Sequence, residues 1–317
     1  MSSPLLQRPG AVEADGVDAG VAAHYGDPYR EQRALEAGEA LVDLSHRPVV
    51  RVSGPDRLRW LHDLTSQHLA ALPAGTWTEA LLLSPQGHVE HHLQLVDDGE
   101  AVHAVVEPGT AEALVTHLDR MRFLLRVEVA DVTADVAALW RDGGLDLVPR
   151  ASLGDLDGAL AGVEALEALR VADRRPRLGL DTDHRTLPNE VRWLGRAVHL
   201  DKGCYRGQEA VARVYNLGRP PRRLALLHLD GSDSHLPAPG ADVLLGERPV
   251  GRLGTAVRHH ELGPLALALL KRTVPDDAAL VVDGTAAAVD PAPDDDGVPE
   301  SPARAAAAAR SSLLRHR

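Results

Sequence analysis

The sequence predicts an α+β fold that closes with a small antiparallel β-barrel. Between residues 29 and 140, strand-like stretches are interleaved with single helices, which suits an α+β sheet body and not a doubly wound one. Beyond residue 221 the strands become short and are separated by turn residues at fairly regular intervals, the pattern of a small barrel. A hydrophobic fraction of 44% over 317 residues allows a sizeable core, in two domains of ordinary size or one large body with an appended module.

Residues 1–23 lack a periodic apolar pattern and read as a loose lead-in. The body follows over 24–220 and the barrel over 221–290. Residues 291–317, with an acidic run at 294–296 and an alanine run at 305–309, read as a disordered tail. In the body, the spacing of Ala34, Leu35, Gly38 and Leu41 predicts a helix over 29–41. A strand over 48–53 stops at Gly54-Pro55, and Pro55 opens a helix that carries Leu58, Leu61, His62 and Leu64 on one face through Leu69. Strands over 78–83 and 88–96 flank the turn Ser84-Pro85-Gln86-Gly87; a third, over 101–107, precedes a helix over 110–118.

Further strands are expected over 123–129 and 134–140, then a strand-plus-helix unit within 151–172. The Arg-, Pro- and Gly-rich stretch 174–189 reads as extended and irregular, and a short helix begins near Gly207. Gly218-Arg219-Pro220-Pro221 marks the boundary to barrel strands over 223–229, 242–245, 249–255, 265–270 and 279–282.

With 34 basic against 46 acidic residues, the net charge of −12 disfavours nonspecific binding to nucleic acid or an anionic membrane. The longest apolar run, 264–270, is far short of the roughly 20 residues of a spanning helix, and no secretory signal is visible. A single cysteine forbids an intramolecular disulfide, which fits a cytoplasmic protein.

That cysteine, Cys204, stands two residues after Lys202, one of only two lysines in the chain. Both lie in the block Lys202-Gly203-Cys204-Tyr205-Arg206-Gly207-Gln208-Glu209. Arginine replaces lysine wherever surface charge alone is wanted, but not where a compact ammonium is needed, so the block reads as a site. The thiolate is the reactive form of cysteine; Lys202, Arg206 and the start of a helix after Gly207 would all favour it. The competing reading is a buried thiol acting as a small hydrophobe.

The block resembles the signature of the YgfZ family, folate-binding relatives of the glycine-cleavage T-protein whose mitochondrial counterparts serve iron–sulfur protein maturation. The resemblance extends to Asp43-Leu44-Ser45-His46 with Gly54, to 61–72 with Gly75, to Arg175-Pro176 and Leu187-Pro188-Asn189-Glu190, and to Val250-Gly251 with Gly254-Thr255. It covers about residues 24–290. It implies a T-protein-like body of three lobes around a central folate cavity, the last lobe being the barrel. It also implies tetrahydrofolate or a one-carbon-substituted derivative as cofactor, Cys204 as functional thiol, and iron–sulfur client or assembly proteins as partners. One departure stands out. After its hairpin turn the T-protein carries paired acids, whereas here the stretch reads Gly87-His88-Val89-Glu90-His91-His92. A neutral imidazole cannot supply a fixed negative charge beside a developing iminium, which argues against aminomethyl transfer.

By the same resemblance Glu190 is the candidate for the 2-amino edge of the pterin, where a carboxylate accepts two parallel N–H bonds. Trp193 is a stacking candidate, and Arg222 or Arg223 would meet the glutamyl carboxylates. Asp43 either contacts ligand or caps its own turn. Period-two alternation puts His88, Glu90 and His92 on one strand face, which suits zinc or iron but is also what the wet side of a sheet looks like. His259-His260 reads as an exposed turn. The rival functions are a folate-dependent aminomethyl or methyl transferase and a structural adaptor that keeps the fold without folate.

Overall fold

The computed structural model describes residues 2–217, 220–232 and 235–291. Its body holds two sheets. The first has five antiparallel strands in the spatial order Trp77–Leu83, Val89–Asp97, Ala101–Val105, Val49–Ser53 and Glu128–Asp131. The helices Arg57–Leu64 and Ala111–Met121 cover one face, where Val50, Val52, Leu93, Leu95 and Leu114 are buried together. The second sheet orders Gly144–Pro149, Val136–Arg141, Ala40–Asp43 and Ala159–Ala161, with the last pair parallel. The helices Pro28–Glu36 and Val163–Ala172 lie against it, and Ala168 and Val171 of the latter also pack on barrel residues Leu224, Leu226 and Leu267.

The barrel closes over six strands, Arg222–Leu229, Gly263–Lys271, Arg248–His259, Asp242–Leu245, Leu280–Val282 and Thr285–Asp290 in hydrogen-bonded order. The sixth was not expected. Its Thr-Ala-Ala-Ala-Val-Asp sequence has little β-propensity, and its pairing with Arg222–Leu229 on one side and Leu280–Val282 on the other makes it a strand. The strand Gly144–Pro149 was likewise unanticipated; it is the return of a hairpin through Asp142 and Gly143, both at positive φ.

Four expectations need correction. The helix expected from Pro55 through Leu69 runs only Arg57–Leu64, because Thr65 turns to an extended conformation with its N–H bonded to Leu61. The helix expected over 29–41 runs only Pro28–Glu36: Gly38, at φ +73°, reverses the chain, with its N–H bonded to Leu35 and that of Glu39 to Ala34, and residues 40–43 become a strand. No strand forms over 123–127. Phe123 sits at φ +44° and, with Leu124, is more than 80% exposed; pairing begins at Glu128. The lead-in is not loose. Leu5 and Val21 are buried, Val12–Glu13 pairs with Ala22–His24, and Asp18 bonds Arg177 and His46. These contacts are tertiary, so a local apolar period could not show them. Beyond Pro291 the expected tail lies outside the described residues, as do Gly218 and Arg219 of the expected boundary.

Candidate functional site

A cavity of about 540 Å³ opens where both sheets and the barrel meet. The strand Val89–Asp97 shapes one wall through a bulge. Leu82 pairs with His91 but Leu83 pairs with Val89, so Glu90 is an extra residue. The bulge resets the alternation, placing Val89 and His92 on the face of Leu81 and Leu83 and leaving Glu90 exposed. The expected common face for His88, Glu90 and His92 is thereby broken. No group of three or more His, Cys, Asp or Glu side chains is arranged to hold a metal among the described residues.

His92 lines the cavity. Its Nε2 lies 2.8 Å from Glu79 Oε2, and its ring rests on the indole of Trp193 at a centroid distance of 4.9 Å. Arg196 donates to Glu79 Oε1 at 2.5 Å and Arg175 approaches at 3.5 Å. Burial pushes the Glu79 carboxyl up, but His92 and the two guanidiniums outweigh it and hold the group far below the ordinary carboxylate range.

Opposite this wall lies a dense ionic cluster. Arg177 bonds Asp18, Glu107 and Glu167 at 2.8–3.0 Å, and Arg170 bonds Glu167, Asp181 at 2.8 Å and Thr255 Oγ1 at 2.5 Å. Asp18, Glu107 and Glu167 are all held low: burial raises each, and the facing guanidiniums, with His46 for Asp18, lower it further. Arg47 lines the same cavity, is 7% exposed, and has its Nε buried without a partner. Arg47, Glu79, Glu107 and Arg177 were not picked out in the sequence. The only hint was that Arg47 directly follows Asp43-Leu44-Ser45-His46.

The residues anticipated for folate fall in different places. Trp193 lines the cavity but is 1% exposed, so the surface it offers is largely the His92 ring in front of it. Glu190, 3% exposed, does not line the cavity. Arg222 bonds both its oxygens at 2.9 Å and also Asp183, while Leu187 N–H donates to Glu190 at 2.9 Å. Both Glu190 oxygens are thus engaged by Arg222 at a place apart from the cavity. Arg223 stands apart, paired with Asp276 at 2.5 Å and Val274 O at 3.0 Å. Asp43 caps its turn, accepting from Ser45 N–H at 2.8 Å, and its other oxygen is buried without a partner. His259 is buried beneath a stacked His260, so the expected exposed turn is a packed one.

The block 202–209 forms a second locus, and Cys204 is not among the cavity-lining residues. The thiol is exposed, which removes the reading of a buried hydrophobe. Lys202 is buried, and its ammonium donates to the carbonyls of His62, Thr65 (2.5 Å) and Gln67 (3.3 Å), with the Tyr205 ring 5.1 Å away. It thus caps the C-terminal end of the helix Arg57–Leu64. Arg206 pairs with Glu90 at 3.1 Å. Both cations expected to favour the thiolate therefore have other partners. Gly207, at φ +83°, precedes the helix Gln208–Leu217 and lies flat on the hairpin turn; a Cβ there would fall 2.5 Å from Ser84 O. Gln208 Nε2 donates to Lys202 O at 3.3 Å, closing the loop on itself, and Gly203 and Glu209 are exposed.

No family model matches the chain. It is 24% identical over 277 residues to a chloroplastic protein of Arabidopsis thaliana that carries a transferase name, covering 69% of this chain and 62% of the relative. It is 25% identical over 229 residues to the mitochondrial iron–sulfur cluster assembly factor IBA57 homolog of Mycosarcoma maydis, covering 59% and 56%. An aminomethyltransferase of Symbiobacterium thermophilum is 23% identical over 302 residues, covering 73% and 78%. The chain thus spans less than two thirds of the length of the first two. The crystal structure of the glycine cleavage system aminomethyltransferase T from Bartonella henselae superposes with a TM-score of 0.74 at 16% identity, over 95% of this chain and 99% of that one. The fold is that of the T-protein.

Proposed function

We propose that this chain binds a reduced folate, tetrahydrofolate or a one-carbon-substituted derivative, in the cavity, and that it supports iron–sulfur enzymes through Cys204 at a separate place. The observation that carries the reading is the cavity itself. Its 540 Å³ lies within the roughly 300–1,000 Å³ typical of small-molecule sites. It is walled by the His92–Trp193 ring pair and by several guanidiniums, in a fold shared with an aminomethyltransferase. A flat ring would meet the His92 imidazole. Arg175 and Arg196, both partly exposed at the cavity, flank Glu79, and either guanidinium could turn to an anionic glutamyl tail. Bound tetrahydrofolate would supply a one-carbon carrier. The role toward iron–sulfur enzymes is supported by the similarity to a factor named for cluster assembly.

Aminomethyl transfer is the weaker reading. Glu90, the one acid in the hairpin stretch, is exposed and paired with Arg206, and the imidazole that does face the cavity is bonded to Glu79. One cysteine also cannot hold a cluster, since clusters usually take four thiolates. Any cluster contact at Cys204 would be shared with a partner protein. Calorimetric titration with tetrahydrofolate tests the reading. Saturable binding with equal affinity in the parent protein and in Cys204→Ser is expected. Absence of binding in both would leave the structural adaptor as the better account, while turnover of an aminomethyl donor that survives Cys204→Ser would favour the transferase.

A further inference from the structure

Seven buried side-chain polar atoms lack a hydrogen-bond partner among the described residues, and four of them fall in one stretch: Asp43 Oδ2, Ser45 Oγ, His46 Nδ1 and Arg47 Nε. Buried polar groups are nearly always paired, so a run of orphans marks a place where something outside the chain completes the network. Of the four residues only Arg47 lines the cavity. Its guanidinium is more than nine-tenths buried and takes part in none of the ion pairs of the described residues, although Glu107 and Glu167 influence it from nearby.

Charge balance decides what kind of group can satisfy it. Around Arg47 the carboxylates of Asp18, Glu107, Glu167 and Asp181 face the guanidiniums of Arg47, Arg170 and Arg177. Even with His46 protonated, this cluster carries no net positive charge. An incoming carboxylate or phosphate would therefore meet no attraction there. An uncharged acceptor avoids that difficulty and can still meet the guanidinium, whose Nε has no partner. Beside Arg47, Glu107 also lines the cavity, and its oxygens accept from Arg177 with lone pairs remaining.

We infer that Arg47 and Glu107 form a donor–acceptor pair that recognises a neutral cyclic-amide edge, with Arg47 donating to a ring carbonyl and Glu107 accepting from the adjacent N–H. This deepens the folate reading and rests on it, because a pterin presents such an edge. Arg47 is then a binding residue for the uncharged head of the ligand and not for its carboxylate tail.

The test is calorimetry with three probes: tetrahydrofolate, a tetrahydropterin without the tail, and p-aminobenzoylglutamate without the head. Arg47→Met removes every donor at similar volume. It should weaken tetrahydrofolate and tetrahydropterin by the same factor, about 10- to 100-fold, and leave p-aminobenzoylglutamate unchanged. Should Arg47→Met fail to fold, Arg47→Lys keeps the charge without the fork and should show a smaller loss in the same two ligands. Unchanged affinities, or a loss confined to p-aminobenzoylglutamate, would overturn the assignment and leave folate binding standing. No binding of tetrahydrofolate by the parent protein would overturn the folate reading and this assignment together.

Discussion

The cavity wall and the loop 202–209 use the same kinds of cation to opposite ends. Around the cavity, guanidiniums are gathered against carboxylates from four separate segments, Asp18, Glu107, Glu167 and Asp181, and one of them, Arg47, keeps its buried Nε without a partner. In the loop, the one buried ammonium gives its donors to backbone carbonyls of another segment, and the neighbouring arginine is closed on Glu90. The wall leaves a buried guanidinium nitrogen without a partner at the edge of the cavity. The loop is organised to hold itself against the body and present a thiol. A motif rich in chemistry-bearing residue types can thus be mostly scaffold, with a single exposed group left to act.

The largest expected effect lies in the wall. Arg177→Gln strips the shared partner of Asp18, Glu107 and Glu167, and by analogy with other broken buried ion pairs it should cost about 3–5 kcal/mol in denaturant melts. A loss below 1 kcal/mol would mean that the cluster does not hold the lobes. In the loop, Lys202→Met leaves three carbonyls short of a donor and should cost about 1–3 kcal/mol, read as a lower melting temperature with the alkylation of Cys204 still complete. An altered alkylation rate in a protein of unchanged stability would restore Lys202 to a role in thiol activation. Gly207→Ala combines an αL penalty of about 1–2 kcal/mol with a clash at Ser84 O, and should loosen the loop without touching the cavity.

Acid separates the two regions further. Asp18, Glu79, Glu107 and Glu167 are all depressed in the folded state, so the folded protein binds fewer protons than the unfolded chain near their ordinary values of about 4. Their contribution is therefore complete above that range and is lost progressively as pH falls from it toward the depressed folded values, so the melting temperature should decline below about pH 4. The loop should give a signal of the same sign, but the smallest one and in the alkaline range. Burial pulls the Lys202 ammonium from 10.5 down to about 8, so between those values the unfolded chain binds more protons and stability rises with pH. Lys202→Met should flatten that rise.

How much of this was legible in the sequence depended on the range of the interaction responsible. The hairpin around Ser84-Pro85-Gln86-Gly87, the Asp43 turn cap and the helix after Gly207 rest on local chemistry, and all were readable. The strand Thr285–Asp290 and the packing of Leu5 and Val21 are decided by distant partners, and were not. The site shows the same division. Cys204 and Lys202 stood out by their rarity, but the single extra residue at Glu90, which turns His92 toward the cavity, leaves no mark in a period-two pattern. Nor could the sequence show that Glu190 and Arg222, both proposed to meet the ligand, bond one another across 32 residues.

The central claim is that the ligand site and the thiol are separate, and a crystal structure of the protein soaked with tetrahydrofolate would test it most directly. Density for the pterin in the cavity, with its ring carbonyl on Arg47 and Cys204 free at the surface, is the predicted result. Density at Cys204 with an empty cavity would contradict it.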